Sequence, residues 1–304
     1  MARGSEAAGS LEGADHQVAG ALLVRVQIRM WEGEAVDKAA GRDLERAKGA
    51  KYESTTVKKK LVDSEELREV KRLGGQLRRW HYDETLKWEE GGDRLISAEC
   101  FGPYMDGVKE LKARFEAAVE EFVAAYPAAV RAAERELGSL FERTDYPVDV
   151  RGKFGVVLTA SELRESEGLP EGLDLSIADR DWLEASAEER SRTCVVTARR
   201  DLWSKLFEAV APLAGRLREP DAIFKRGTVQ GLVDALDRME GLNVFDDVRS
   251  RSAVGYLRGV VGKDVDALVE ALRSDPRRRR EVADKLEVAS RTIATILGGL
   301  GEDG

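Results

Sequence analysis

Two cysteines and two histidines in 304 residues leave little from which to build reactive or metal-binding chemistry. Cys100 and Cys194 are too few for a disulfide scaffold or a four-cysteine zinc site, and His16 and His81 are too few for a histidine-rich metal centre. No metal or other cofactor is expected. Aromatic residues make up 6% of the chain against 35% charged residues, which excludes a thick sheet core and favours long solvated helices. Long apolar runs are also missing: residues 18–28 are broken by Arg25 and Gln27, so no transmembrane helix is expected, and the first twenty residues, with Arg3, small residues and three acids ahead of any apolar run, do not resemble a secretory leader. That reading places the chain in a reducing cytoplasm. Nucleotide loops fail as well, because Gly262-Lys263 is followed by Asp264 and lacks the glycine five positions ahead. There is no Gly-x-Ser-x-Gly elbow and no His-Glu-x-x-His helix. With His81 the one histidine outside the N-terminal tail, any nucleophile–histidine pair would have to use it. A non-enzymatic protein is the expectation.

Hydrophobic periodicity then outlines the fold. Val24, Val26, Ile28 and Met30 alternate with Arg25, Gln27 and Arg29, the pattern of a half-buried strand. Its candidate partners are residues 54–58, 94–98, 153–158 and 193–197. Leu67, Val70, Leu73, Leu77 and Trp80 recur at helical spacing from a cap at Ser64, with the run expected to stop near Gly91-Gly92. A longer stripe runs from Val108 to Leu140 across Pro127, where the unbroken phase predicts a bend rather than a break. Leucine and valine stripes return at 202–217, 229–239 and 265–272, and Asp275-Pro276 is a cap followed by a first-turn proline for a final helix. The fold class is therefore α+β, mainly α: a long helical hairpin with a small N-terminal β-sheet and a C-terminal helical part. Expected divisions are a disordered tail at 1–17, sheet plus hairpin at 18–146, an irregular connector at 147–181 and a helical region at 182–304.

Charge is distributed unevenly. Residues 46–87 hold twelve Lys and Arg against seven Asp and Glu, in a chain whose net charge is −8. The same stretch carries Trp80, His81 and Tyr82, with Trp88 next to its end, and cations interleaved with flat aromatic faces suit single-stranded nucleic acid. Lys58, Lys59, Lys60, Arg68, Lys71, Arg72, Arg78, Arg79, Trp80 and Tyr82 are the candidate contacts. Trp80 also lies on the apolar period of Leu73 and Leu77, so a core role stays open, and a lysine run is commonly a solvated loop. Arg277 to Arg280 form a second anomaly, since four cations occupy a first helical turn where the macrodipole favours anions. Arg277 and Arg278 are added to the candidate contacts, with Arg277–Glu281 and Arg280–Asp284 pairing as the alternative explanation.

Three stretches carry a resemblance: Arg94-Leu95-Ile96 ahead of Tyr104, Leu137-Gly138-Ser139-Leu140-Phe141 leading to Asp145-Tyr146-Pro147, and Asp201-Leu202-Trp203-Ser204-Lys205-Leu206. Together they resemble an uncharacterised family of mainly helical proteins encoded by tailed bacteriophages and prophages. The similarity spans most of the chain from Leu22 to the last helices and departs after Phe154, where residues 158–179 are more acidic than the proline-containing strand of the family. It implies a cytoplasmic phage-type protein of DNA metabolism and transfers no catalytic residue. Two functional readings stand side by side. One is a protein that binds single-stranded nucleic acid in annealing, recombination or replication support, as a homo-oligomer. The other is a structural or adaptor protein that self-associates and docks other phage or host proteins through helix faces, the narrow stripe at 282–300 being the candidate for self-association. No membrane partner is expected.

Overall fold

The computed structural model describes residues 20–89, 92–163, 176–219, 225–262 and 264–300. The architecture is α+β and mainly α, with a small antiparallel sheet contributed largely by the first third of the chain and helices after it. The expected tail at 1–17 lies outside the described residues. Two compact units interleave in sequence. The first takes the described residues within Met1–Val24, Glu84–Phe101 and Ala160–Gly304, and the second takes Arg25–Asp83 and Gly102–Thr159.

Strand β1 (Ala21–Arg29) is the alternating segment, and its register with β5 (Arg94–Ser97) sets Leu22 opposite Ile96 and Leu23 opposite Leu95. The sheet order is β4-β5-β1-β6, with β4 (Leu86–Lys87) and β6 (Gly155–Glu162) at the edges. A second, two-stranded ribbon joins β2 (Glu34–Val36) to β3 (Lys58–Lys60), so the lysine run is a strand that pairs with β2 and residues 54–57 lie outside it. The expected strand at 193–197 is helical. Thr193, Val195, Val196 and Thr197 favour strands by β-branching, but Cys194, Ala198, Leu202 and Leu206 continue one buried helical stripe, and that burial prevails over local propensity.

In the second unit, α1 (Lys38–Lys48) is held at both ends: the Asp37 carboxylate accepts from Ala40 N at 2.9 Å, and Gly49 closes it at φ 64°. Helix α2 (Glu65–Asp83) ends eight residues before the expected Gly91 stop, and Gly74-Gly75 does not break it. Gly74 is buried because Met30 packs where a side chain would stand. Helix α3 (Ala98–Leu137) starts five residues ahead of Pro103 and contains both prolines without interruption. Its face of Phe115, Val119, Phe122 and Tyr126 packs with Leu67, Val70 and Leu73 of α2 and with Tyr146 and Phe154. Trp31 meets the Tyr126 ring edge-on at 5.7 Å, the geometry that aromatic quadrupoles favour. The stripe read from the sequence in α3 is thus a core stripe.

In the first unit, α4 (Ile177–Arg218), α5 (Arg226–Leu242), α6 (Val248–Val261), α7 (Val265–Ser274) and α8 (Pro276–Gly299) enclose one apolar core. Helix α4 packs most extensively on α8, burying Leu206, Val210 and Leu213 with Val282, Leu286 and Ile293. Of the α8 stripe assigned to self-association, Val282, Leu286 and Ile293 are buried in this core. Within 147–181, read as a connector with a strand or two, the described residues include β6 and the first turn of α4, and 164–175 lie outside the described residues.

Candidate functional site

The basic candidates divide between the units. Arg277 and Arg278 belong to the first, and the eight from Lys58 to Arg79, with the aromatic Trp80 and Tyr82, to the second. Lys58 pairs with Glu34 at 3.3 Å, Lys60 with Asp63 at 3.1 Å and Lys71 with Glu32 at 3.1 Å. Arg72 makes a bidentate pair with Glu69, at 2.5 and 2.6 Å, and Arg68 lies 3.7 Å from Asp63. Lys59 is buried. Its ammonium sits 2.7 Å from Asp145 and 3.3 Å from Glu142 and donates to the Leu140 carbonyl. The hydrogen bond to Asp145 raises its pKa against the opposing effect of burial, so the charge is held for structure rather than for a ligand.

Trp80 is withdrawn from the site. Its indole lies over Gly107 of α3, and Nε1 donates to the Tyr104 carbonyl at 3.2 Å. His81 is buried beside it, with Nδ1 2.8 Å from the Tyr104 hydroxyl. What remains in the open is the far end of α2, where Arg78 and Arg79 are exposed, with no acidic partner among the described residues, and Tyr82 is 48% exposed. Arg68, Arg72, Arg79 and Tyr82 fall on one helix face about 21 Å long.

The Arg277–Arg280 cluster resolves differently from expectation. The Asp275 carboxylate accepts from Arg277 N and Arg278 N, as a cap should. Arg278 pairs with Glu281 at 2.9 Å, one residue off the expected spacing, while Asp284 pairs with Arg218 of α4. Arg280 turns back to the Pro276 carbonyl. Arg279 donates to the carbonyls of Leu217 and Glu219 at 3.1 and 2.6 Å, at the negative end of α4. A cation that is unfavourable at its own helix start is thereby favourable at its neighbour's end. Arg277 is exposed and makes no ion pair among the described residues.

The periodic patterns did not signal an apolar surface groove, which lies between α6 and α8. Val248, Ser252 and Tyr256 form one row at four-residue spacing, Val288, Thr292 and Ile296 form the facing row, and Trp203 closes the floor. The groove is about 500 Å³. Val248, Tyr256 and Val288 are 67%, 47% and 60% exposed, so among the described residues of this unit large apolar side chains there are left without cover. Arg249 stands at its rim, exposed and without an acidic partner among the described residues.

The same unit carries an exposed helical arm. Ser176 caps α4, its hydroxyl accepting from Asp179 N at 3.1 Å and donating to the Asp179 carboxylate at 2.6 Å. Between 177 and 193 no residue is buried, and the first buried one is Cys194. Ile177 is 80% and Trp182 69% exposed on this arm. Burial and nearby Glu89 push the Cys194 thiol above its ordinary pKa, which makes it a poor nucleophile. Among the described residues, no group of three or more His, Cys, Asp and Glu could hold a metal, and no helix is long and apolar enough to cross a membrane. In comparison with known proteins, the chain matches no family model, no curated protein and no solved structure.

Proposed function

We propose that the protein is a non-enzymatic structural or adaptor component that holds protein chains through helix faces. One observation carries the reading: the groove between α6 and α8 presents Val248, Tyr256 and Val288 to solvent on either side of the Trp203 floor. Facing rows at four-residue spacing fit an apolar helix face laid lengthwise, whose anchors recur at three and four residues. The test is a titration with the apolar dye 1-anilinonaphthalene-8-sulfonate at submicromolar protein. A saturable fluorescence rise that is lost in Val288→Asp supports the groove as a binding surface, and a response unchanged by that substitution removes it.

A second reading, binding of single-stranded nucleic acid, draws on the far end of α2. Arg78 and Arg79 have no acidic partner among the described residues and stand beside exposed Tyr82. The segments Arg25–Asp83 and Gly102–Thr159 hold 23 Lys and Arg against 21 Asp and Glu, so they are slightly basic while the rest of the chain is near −10. Segregation of this kind lets an acidic protein approach a polyanion through one part. Fluorescence anisotropy with a labelled single-stranded oligonucleotide across a salt series tests it. Affinity that falls steeply with salt supports it, and no binding at low salt rejects it.

A further inference from the structure

The groove and the α4 arm together identify an occupant. We propose that the groove between α6 and α8 receives the α4 arm of a second copy of this chain, with Trp182 as the inserted side chain. The inference rests on the docking reading above and names the partner.

Each element alone is incomplete. The groove is an apolar trough with an aromatic floor, and among the described residues of its own unit none fills it. The arm extends an aromatic side chain into solvent from a stretch that buries no residue. A large rigid aromatic on a projecting element is the usual anchor of an interface, and a preformed apolar pocket is its usual complement.

Geometry excludes the intramolecular arrangement. Helix α4 is continuous from Ile177 to Arg218, and Trp203 of the groove floor is on that same helix. Trp182 and Trp203 are therefore separated by about 30 Å along one rod. No side chain spans that distance, so Trp182 reaches a groove of this kind only on another molecule.

Charge agrees with the pairing. Asp181 and Glu184, both exposed, flank Trp182, and Arg249 stands on the groove rim without an acidic partner among the described residues. Seating the indole brings opposite charges to the edge of an apolar contact, where they steer orientation. A reciprocal pair would seat two arms in two grooves and close, whereas a one-way contact would extend into an open chain.

The experiment uses the full chain. Light scattering compares the native protein, Trp182→Ala, Val288→Asp and an equimolar mixture of the two variants at about 100 μM, a concentration at which a weak interface is populated. Both substituted residues are exposed, so helical circular dichroism should match the native protein. The native chain is expected to exceed its monomer mass, each variant to fall to the monomer, and the mixture to regain association because an intact Trp182 then meets an intact groove. A monomeric native chain, a variant that keeps the native mass, or a mixture that stays monomeric overturns the proposal. The dye titration separates the two failures. If the dye binds at Val288 and the native chain is monomeric, groove docking survives and another protein or residues 1–19 become the occupant; if the dye does not bind, the docking reading itself falls.

Discussion

One oxygen of Asp201, Oδ2, accepts both from the Arg94 guanidinium at 3.0 Å and from the Lys87 backbone N–H at 2.6 Å. Asp201 sits on α4, and Lys87 and Arg94 are paired residues of the β4–β5 hairpin. Arg94 also donates from Nε to the Thr85 hydroxyl and from Nη2 to the Thr85 carbonyl, so one guanidinium and one carboxylate fasten the hairpin to the helix. The Arg94 side chain is only 11% exposed, so these bonds stand in for water.

Asp201→Ala should therefore destabilise the protein by about 1.5–3 kcal/mol, because the Arg94 guanidinium and the Lys87 amide both lose a charged acceptor. Asp201→Asn, which can still accept from both donors, should cost clearly less. Urea unfolding of the two variants measures the difference; equal midpoints would show that the carboxylate does not anchor the hairpin.

Two glycines on neighbouring helices should respond with opposite signs to alanine. A methyl group at Gly75 of α2 would meet nothing within 4 Å, so Gly75→Ala should stabilise by about 0.5–1 kcal/mol through helix propensity. At Gly107 of α3 the same methyl overlaps the Trp80 indole, which its hydrogen bond to Tyr104 holds in place. Overpacking of about 1–3 kcal/mol exceeds the propensity gain, so Gly107→Ala should lower the melting temperature.

Glu45 organises the loop after α1. Its carboxylate accepts from the amides of Glu53 and Thr55 and from the Thr55 hydroxyl, and these bonds, Thr55 N first, hold its pKa below the ordinary 4.5. A depressed folded-state pKa gives stability that is present above 4.5 and disappears as pH falls through the folded value. Glu45→Gln should unfold at a lower temperature than the native chain at pH 7, with the gap narrowing at pH 3. Amide exchange at Glu53 and Thr55 offers a local readout, and a pH-independent gap would contradict the charge-based account.

Removal of residues 276–304 should destroy cooperative unfolding rather than merely dissociate an oligomer. Val282, Leu286 and Ile293 are fully buried against α4, and Arg279 occupies the carbonyls at the α4 end. A truncated chain that melted as sharply as the native one would show that α8 is dispensable to the core.

For the nucleic-acid reading, Arg78→Glu with Arg79→Glu should abolish oligonucleotide binding, while Lys60→Glu, whose native partner is Asp63, should weaken it far less. Equal losses from both changes would point to overall charge rather than to this end of α2.

Strong apolar periods were legible from residues alone. The α2 stripe, the α3 stripe and the Asp275-Pro276 start of α8 are all where their spacing placed them. Helix α1 was not, because it buries only Gly41 and Glu45 and so carries no stripe; its signals were the cap residues Asp37 and Gly49. Helix α6 escaped for a related reason: Ser250, Ser252, Gly255 and Gly259 dilute its period, leaving Asp247 as a cap and Val254, Leu257 and Val261 as sparse markers. The groove could not be read because a sequence shows which residues are apolar and not which of them a neighbouring helix fails to cover. Local charge was similarly ambiguous. The acids that neutralise Lys58, Lys59 and Lys71 lie 24, 86 and 39 positions away, and only the fold brings them together.

The interleaving of the two units sets an order in time. Every residue of Arg25–Asp83 and Gly102–Thr159 precedes position 160, whereas the other unit has its hairpin near residue 90 and the helix on which that hairpin packs, α4, begins at Ile177. During synthesis the mixed unit is complete in sequence while the helical one still lacks α4 to α8. Leu86, Trp88 and Leu95 must then wait, apolar and uncovered, for about a hundred further residues, or roughly 5–20 s at ordinary elongation rates. The hairpin is the place where a nascent chain of this protein would most need protection from its surroundings.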